Sequence, residues 1–261
     1  MSAQAYLDRI QGILLEIQTK EMKNIRAAAK IMAAAIRKKG RVYMFGSGHS
    51  VIPVLDIFPR YGSYVGFFPL YDPRLMWSSV IGPGGARELL WLERQEGYAR
   101  VFLQSYPLEK RDAMLVFSHG GLNAAPIEMA LEARARGLKV VTVSSHANAK
   151  IGKRSHSSGK ILSEAADVAI DNHVPPEDAL VDVGQIERVA AGSTVAAVSI
   201  AMSLVAETAA VLARTGQVPP TFVSPNVRGV PKDHMAGVYQ AFTEFYYARP
   251  FKAERKSRGR E

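Results

Sequence analysis

The pattern of apolar positions changes once along the chain, near residue 40. From Ala3 to Lys38 apolar residues return every three or four positions and Gly40 closes the pattern, which predicts one long N-terminal helix. Beyond Gly40, short apolar runs alternate with helical patterns. The runs predict strands at 41–46, 64–68, 113–118, 139–144 and 167–171. Further helices are predicted at 50–58, 86–104, 124–137, 160–166, 186–214 and 233–247.

This alternation predicts an α/β fold: a doubly wound, parallel, five-stranded sheet flanked by helices, with a long N-terminal helix and a C-terminal helix. The run at 115–117 is apolar at every position, which is typical of a strand buried on both faces. We expect one domain over residues 1–250, with its core at about 40–215, and a basic, disordered tail at 251–261. Long irregular stretches are expected at 69–85, 144–160, 171–185 and 215–232.

Two polar, glycine-bearing loops follow predicted strands. Gly46-Ser47-Gly48-His49-Ser50 follows the first, and Ser118-His119-Gly120-Gly121-Leu122-Asn123 follows the third. Because parallel strands open ligand sites at their carboxyl ends, both loops are expected at one edge of the sheet. Glycine lets a ligand approach the backbone, and serine hydroxyls with free N–H groups suit an anion. The pair predicts a site for a phosphorylated small molecule, although either loop alone could be a plain turn.

Composition narrows the classes of function. The 261 residues include no cysteine, which excludes disulfides, thiolate nucleophiles and cysteine metal sites and suits a cytoplasmic protein. The first eleven residues lack the basic-then-apolar order of a signal peptide. The apolar stretch 195–213 contains Ser199, Ser203 and Glu207, which favours a buried helix over a membrane span. We therefore expect no membrane partner.

The net charge of +9 is concentrated at the C-terminus, where six of the last thirteen residues are Lys or Arg. A solvated tail explains this better than a nucleic-acid surface, because no recognition motif accompanies the charge. A metal site is also not expected, since no pair of histidines has helical ligand spacing. The histidines considered are His49, His119, His146, His156 and His173. No other cofactor is expected.

Four segments together resemble one family. They are Gly46–Ser50, Asp112–Ser118, Ala135–Ser144 and Ala165–Ile170. They resemble the SIS (sugar isomerase) domain family, which includes phosphoheptose isomerase, the isomerase domain of glucosamine-6-phosphate synthase and N-acetylmuramic acid 6-phosphate etherase. The resemblance covers most of residues 40–215, and His156–Lys160 with Ile170–Asn172 is similar to a little-characterised subgroup. It implies phosphosugar binding.

The second loop departs from the family pattern, in which serine stands at the position of Gly120 and serine or threonine at that of Asn123. Ser118 can still donate to phosphate, as can the N–H groups of Gly48 and Gly120, and the Asn123 amide could replace a hydroxyl. His49 and His119 either touch the ligand or bond to backbone. The expected ligand contacts are Gly46, Ser47, Gly48, His49, Ser50, Ser118, His119, Gly120, Gly121, Asn123, Ser144, Ser193 and Thr194.

Isomerisation of an aldose to a ketose needs a base, and elimination of a sugar ether begins with the same proton abstraction beside a carbonyl. The segment after Gly84-Gly85 resembles the etherase helix that carries a catalytic glutamate, without fixing which residue corresponds. The candidate bases are Glu93, Glu187, Glu88, Glu96 and His234. Glu93 and Glu187 are the preferred pair. The alternative interpretations are an exposed charged helix face for Glu88, Glu93 and Glu96, and an ordinary first-turn carboxylate for Glu187. For His234 the alternative is a surface residue.

We therefore expect a phosphosugar-binding protein that acts as an aldose–ketose isomerase. An etherase or lyase on an N-acetylated sugar phosphate is the alternative reaction, and a non-catalytic sugar-phosphate sensor is the alternative class. Self-association as a homodimer or a dimer of dimers is expected, and the resemblance implies that His234 could enter a neighbouring subunit's site. The loop 150–160, which mixes four cations with serines, is either a lid over the substrate or a solvated loop.

Overall fold

The computed structural model describes residues 2–57, 59–76 and 85–249. Its strands are β1 (Val42–Gly46), β2 (Phe67–Leu70), β3 (Ala113–Phe117), β4 (Lys139–Ser144), β5 (Val168–Asp171), β6 (Ala179–Val181) and β7 (Val189–Ala191). Its helices are α1 (Ser2–Lys20), α2 (Met22–Arg37), α3 (Val51–Ile57), α4 (Gly85–Leu92), α5 (Tyr98–Phe102), α6 (Ala124–Ala135), α7 (His146–Ile151), α8 (Ser193–Ala213) and α9 (His234–Tyr247).

The predicted α/β fold is confirmed. Five parallel strands form the main sheet in the order β2-β1-β3-β4-β5, and β6 pairs with β7 in a separate antiparallel hairpin. All five predicted strands are present, although β2 begins at Phe67 rather than at residue 64.

Both faces of the sheet are covered, which explains why its strands are apolar at consecutive positions. Val42 and Met44 of β1 face one core with α1, α2 and α8. Tyr43 and Phe45 face the other core, with α5 and α6. Side chains of a strand alternate between faces, so a strand between two helical layers is apolar throughout.

Four predicted helices differ from the observed ones. The N-terminal pattern forms two helices that meet at Glu21, whose carboxylate accepts hydrogen bonds from Asn24 and from His173 far along the chain. The helix predicted at 86–104 breaks between α4 and α5, where Gly97 has a left-handed φ of 90°. The segment 160–166 contains only a 3₁₀ turn, Leu162–Ala165. Periodicity misses such breaks because the apolar face continues across them.

The helix predicted from residue 186 begins at Ser193, and β7 occupies residues just before it. Three stretches expected to be irregular contain structure: a 3₁₀ turn, Pro73–Leu75, lies within 69–85, α7 within 144–160 and β6 within 171–185. Residue 58, the glycine pair's Gly84 and the predicted tail at 251–261 lie outside the described residues.

Helix α8 is long and apolar enough to span a membrane by length and composition. In the structure it contacts α1, α2 and α3 beside the sheet. Ala196, Ile200, Leu204 and Leu212 are buried there. This packing is that of a core helix.

Candidate functional site

The two glycine-bearing loops lie side by side. β1 and β3 are parallel neighbours with Gly46 opposite Phe117, so the loops leave the sheet at the same edge. An open cleft of about 370 Å³ lies between them. The sequence-predicted residues that line it are Ser47, Gly48, His49, Ser50, Glu93, Ser118, His119, Gly120, Asn123 and Ser193. Ala86, Leu89, Leu90 and Asp178 also line it.

Glu93 connects the two loops. It directly follows α4, and its side chain is buried. The Ser47 hydroxyl donates to Oε2 at 2.7 Å, and the Asn123 amide donates to Oε1 at 2.6 Å. Burial raises the pKa of Glu93, against the smaller lowering effects of the Ser47 hydroxyl and the Arg94 charge. A carboxylate with a raised pKa beside an open cleft is suited to proton transfer.

The first loop is a tight turn that requires glycine. A Cβ at Gly46 would lie 2.0 Å from the Ser50 carbonyl oxygen, and Gly48 has a φ of 59°. The Gly48 N–H donates to the Leu75 carbonyl at 2.7 Å. The prediction that this N–H binds the anion is therefore wrong, because it is already used to hold the segment after β2 against the loop.

The second loop keeps several donors directed to the cleft. The Ser118 oxygen accepts from the Gly121 N–H at 3.2 Å, which leaves its own hydrogen for a ligand. The Gly120 carbonyl accepts from the Asn148 amide at 2.9 Å, and no hydrogen bond of the described residues uses the Gly120 N–H. Gly121 has a φ of 64° and lies against Ser144, which is buried at the end of β4.

His119 is oriented by Asn172, which directly follows β5. The Asn172 amide nitrogen lies 3.4 Å from His119 Nδ1, and the Asn172 carbonyl oxygen accepts from the Val174 N–H. With the amide nitrogen on Nδ1, Nδ1 is the acceptor and the ring proton belongs on Nε2. Nε2 is buried without a hydrogen-bond partner among the described residues.

The start of α8 forms the far wall of the cleft, and Asp178 occupies its donors. The Asp178 carboxylate accepts from the Gly192 and Ser193 N–H groups at 3.0 and 2.7 Å and from the Ser193 hydroxyl at 2.8 Å. The Ser193 hydroxyl therefore bonds within the protein. Thr194 lines only a narrow recess of about 10 Å³ beside the cleft, which it shares with His49 and His119.

Sequence reasoning missed Asp178. It precedes α8 by fifteen residues and reaches it across the β6–β7 hairpin, so no local capping pattern marks it. In the structure Asp178 has a φ of 63°, and aspartate is among the few residues that tolerate this left-handed region. Its residue type was therefore a weak signal for a turn at this position.

Four of the five candidate bases lie outside the cleft lining. Glu88 is exposed on α4, and Glu187 is exposed between β6 and β7. Glu96 accepts from the N–H and the hydroxyl of Ser157. His234 is the first residue of α9, and its Nε2 lies 2.8 Å from the Thr221 carbonyl oxygen.

The loop 150–160 does not line the cleft. It contacts the turn between α4 and α5, where Ser157 donates to Glu96. Within the same region, Arg154 forms an ion pair with Glu164. None of the described residues that line the cleft is Lys or Arg. Across the described ranges, no three His, Asp or Glu side chains are grouped to hold a metal ion.

Comparison with known proteins identifies the family. Residues 5–145, more than half of the chain, match the SIS domain model. A UPF0309 protein of Oceanobacillus iheyensis is 35% identical over 225 residues, covering 86% of this chain and 90% of that protein. A UPF0309 protein of Streptomyces coelicolor is 34% identical over 227 residues, covering 86% and 88%.

Two solved structures share the fold. A phosphoheptose isomerase from Francisella tularensis has a TM-score of 0.52 at 16% identity, covering 79% of this chain and 95% of its own. A phosphoheptose isomerase from Neisseria gonorrhoeae has a TM-score of 0.51 at 13% identity, covering 79% and 96%. With the family model and the relatives matched over most of their length, the chain belongs to the SIS domain family.

Proposed function

We propose that the cleft binds a phosphorylated sugar and that Glu93 catalyses aldose–ketose isomerisation. The observation that carries this proposal is the position of Glu93, a buried carboxylate that lines the cleft and is held between both glycine-bearing loops. Membership of the SIS family supports it, as does the likeness of fold to proteins named phosphoheptose isomerase.

The phosphate end of the ligand belongs against the second loop. Ser118 and the Gly120 N–H are uncharged donors at the cleft, and His119 lines the cleft beside them. Neutral donors bind a phosphate without a lysine or arginine when several converge, as backbone N–H groups do at phosphate sites. Glu93 would repel a phosphate placed beside it, so the sugar carbons rather than the phosphate lie next to Glu93.

The reaction then needs one proton to move between neighbouring carbons. Glu93 takes the proton from the carbon next to the carbonyl, and the electron pair of the broken C–H bond forms the enediolate. The hydroxyl proton of the attacked carbon passes to the former carbonyl oxygen, so that this carbon becomes the new carbonyl. Glu93 returns its proton to the former carbonyl carbon, which gives the isomer and restores the charge of Glu93. The Ser47 and Asn123 contacts occupy one lone pair on each carboxylate oxygen, which leaves others for the proton.

The test is solvent exchange with a panel of sugar phosphates in deuterated water. We expect deuterium to enter one substrate at the carbon next to the carbonyl. Glu93→Gln, which keeps size and hydrogen bonding, should lower turnover by about a hundredfold or more with affinity largely retained. Glu88→Gln, on the helix α4 that Glu93 directly follows, is the matched control and should keep wild-type turnover.

Other outcomes separate the alternatives. An unsaturated product with loss of an ether group would assign the lyase reaction. Binding at micromolar concentration without exchange on any substrate would assign the sensor function. If no sugar phosphate binds or raises the melting temperature, the proposal fails.

A further inference from the structure

A second concave surface lies at the opposite edge of the sheet, where the strands begin. It is a cleft of about 260 Å³ between the C-terminal half of α2, the turn before β3 and the first residue of β4. Five basic side chains line this basic cleft: Lys30, Lys38, Lys110, Arg111 and Lys139. Asp112 is the single acidic residue in the lining.

The sequence spacing on α2 explains how the cleft forms. Lys30, Ala34 and Lys38 follow each other at intervals of four, so they share one helical face. Ile31 and Ala35 add an apolar wall next to this face. Across the cleft, the Lys110 side chain lies against Gly137, where a Cβ would come within 3.1 Å of the lysine Cγ. Cations from separate elements therefore surround an apolar wall.

The ion pairs of the fold account for only part of this charge. Lys139 pairs with Asp167 at 2.7 Å, and Arg111 pairs with Glu109 at 2.7 Å. Asp112 does not neutralise the lysines, because its carboxylate is bound by Arg249 at 2.8 Å and by the Arg41 N–H. Lys30, Lys38 and Lys110 form no ion pair with any residue of the described ranges. Like charges around a concave surface repel each other, and a bound anion would relieve that repulsion.

We propose that the basic cleft binds a small polyphosphate, a compound with two or more linked phosphate groups. Linked phosphates carry more charge over a greater length than a single phosphate, so they suit cations that come from separate elements. The volume is close to the lower end of small-molecule sites. A nucleic-acid strand fits less well, because no aromatic side chain among the described residues lines the cleft for base stacking. In addition, the acidic Glu109 and Asp167 pair with Arg111 and Lys139, which interrupts the positive surface that a strand would need beyond the cleft.

Tripolyphosphate is the probe, measured by calorimetry on the full chain at low salt. Lys38→Glu with Lys110→Glu is the cleft variant. Lys23→Glu with Lys232→Glu changes the net charge equally at exposed positions that do not line the cleft. We expect wild type and control to bind tripolyphosphate more tightly than orthophosphate, and the cleft variant to lose at least about tenfold in affinity.

If charge reversal impairs folding, the milder pair Lys38→Gln with Lys110→Gln replaces the cleft variant, and it should also lower the affinity for tripolyphosphate. An unchanged melting temperature shows that a variant is folded. An equal loss in the cleft and control variants would overturn the proposal, as would the absence of binding to wild type. A single-stranded oligonucleotide that binds more tightly than tripolyphosphate through the same lysines would replace it with nucleic-acid binding.

Discussion

The Glu93 carboxylate couples the chemistry of the cleft to the stability of the protein. Burial raises its pKa, so the native state binds this proton more tightly than the unfolded state does. The stability from this group is complete at pH values below the pKa of an unfolded glutamate, and it is lost as the pH rises through the native pKa. A buried base that must be charged to react therefore destabilises the protein at the pH at which it works.

Replacing Glu93 by glutamine should remove this pH dependence. The glutamine oxygen can accept from Asn123 and its nitrogen can donate to Ser47, so both contacts survive. We expect Glu93→Gln to gain stability relative to wild type as the pH rises from the pKa of an unfolded glutamate through the native pKa, and to be at least as stable as wild type above it. Urea unfolding at a series of pH values measures this, with Glu88→Gln as the control. A wild type that loses nothing relative to the variant over that range would contradict the assignment.

Asp178 has a different role, since its carboxylate caps α8. Asp178→Ala should lower the free energy of unfolding by about 1–2 kcal/mol, because it removes the acceptor for three donors and places alanine at a positive φ. Asp178→Asn should cost less, since asparagine tolerates that φ and keeps an acceptor. Glu177→Ala is the control at an exposed, singly paired position, where a loss below about 0.5 kcal/mol is expected. Equal losses at both positions would exclude the capping role.

At the scale of elements, the turn between α4 and α5 carries Glu93 and is held from two sides. Glu96 accepts from the Ser157 backbone and hydroxyl, and Glu128 accepts from the N–H groups of Gly97 and Ala99. The loop 150–160 thereby supports the proposed base rather than covering the cleft.

Breaking this support should loosen the loop and displace Glu93. We expect Glu96→Ala to speed hydrogen exchange at Ser157 and tryptic cleavage near Arg154, and to lower turnover less than Glu93→Gln does. Glu88→Ala, which removes an exposed carboxylate from α4, should change none of these three quantities. If exchange at Ser157 stays at the wild-type rate, Glu96 does not hold the loop.

Patterns in the sequence predicted elements well where burial alone decides them. Strands β1, β3 and β4 lie between two helical layers, so their apolar runs are continuous and their positions were predicted within a residue. The hairpin of β6 and β7 was missed because its strands have only three residues each. The break at Gly97 was missed, since a left-handed glycine does not interrupt the apolar pattern.

For the molecule as a whole, the parallel sheet separates two different electrostatic surfaces. The edge at the strand ends carries serines, glycines and the Glu93 and Asp178 carboxylates, and the edge at the strand starts carries the basic cleft. The sequence predicted the first edge from its two loops. The contacts that complete it, such as Asn172 on His119 and Leu75 on Gly48, join residues distant in sequence and have no local pattern.

The outer surface of α1 and α8 leads to the last prediction, which concerns assembly. Leu7 and Leu15 of α1 are 51% and 58% exposed, Val195 of α8 is 37% exposed, and the two helices contact each other. Exposed apolar side chains on two helices in contact favour burial against a second copy. We expect a homodimer in solution through α1 and α8.

Size-exclusion chromatography with light scattering tests this at micromolar concentration. Leu15→Glu with Val195→Glu should shift the protein to a monomer, because each charge would be buried in the interface without a partner. Val101→Glu is the control, since this residue is 65% exposed on α5 and on the other side of the sheet. A monomeric wild type would exclude the homodimer. Equal dissociation of the Val101→Glu control would show that the interface does not lie on α1 and α8.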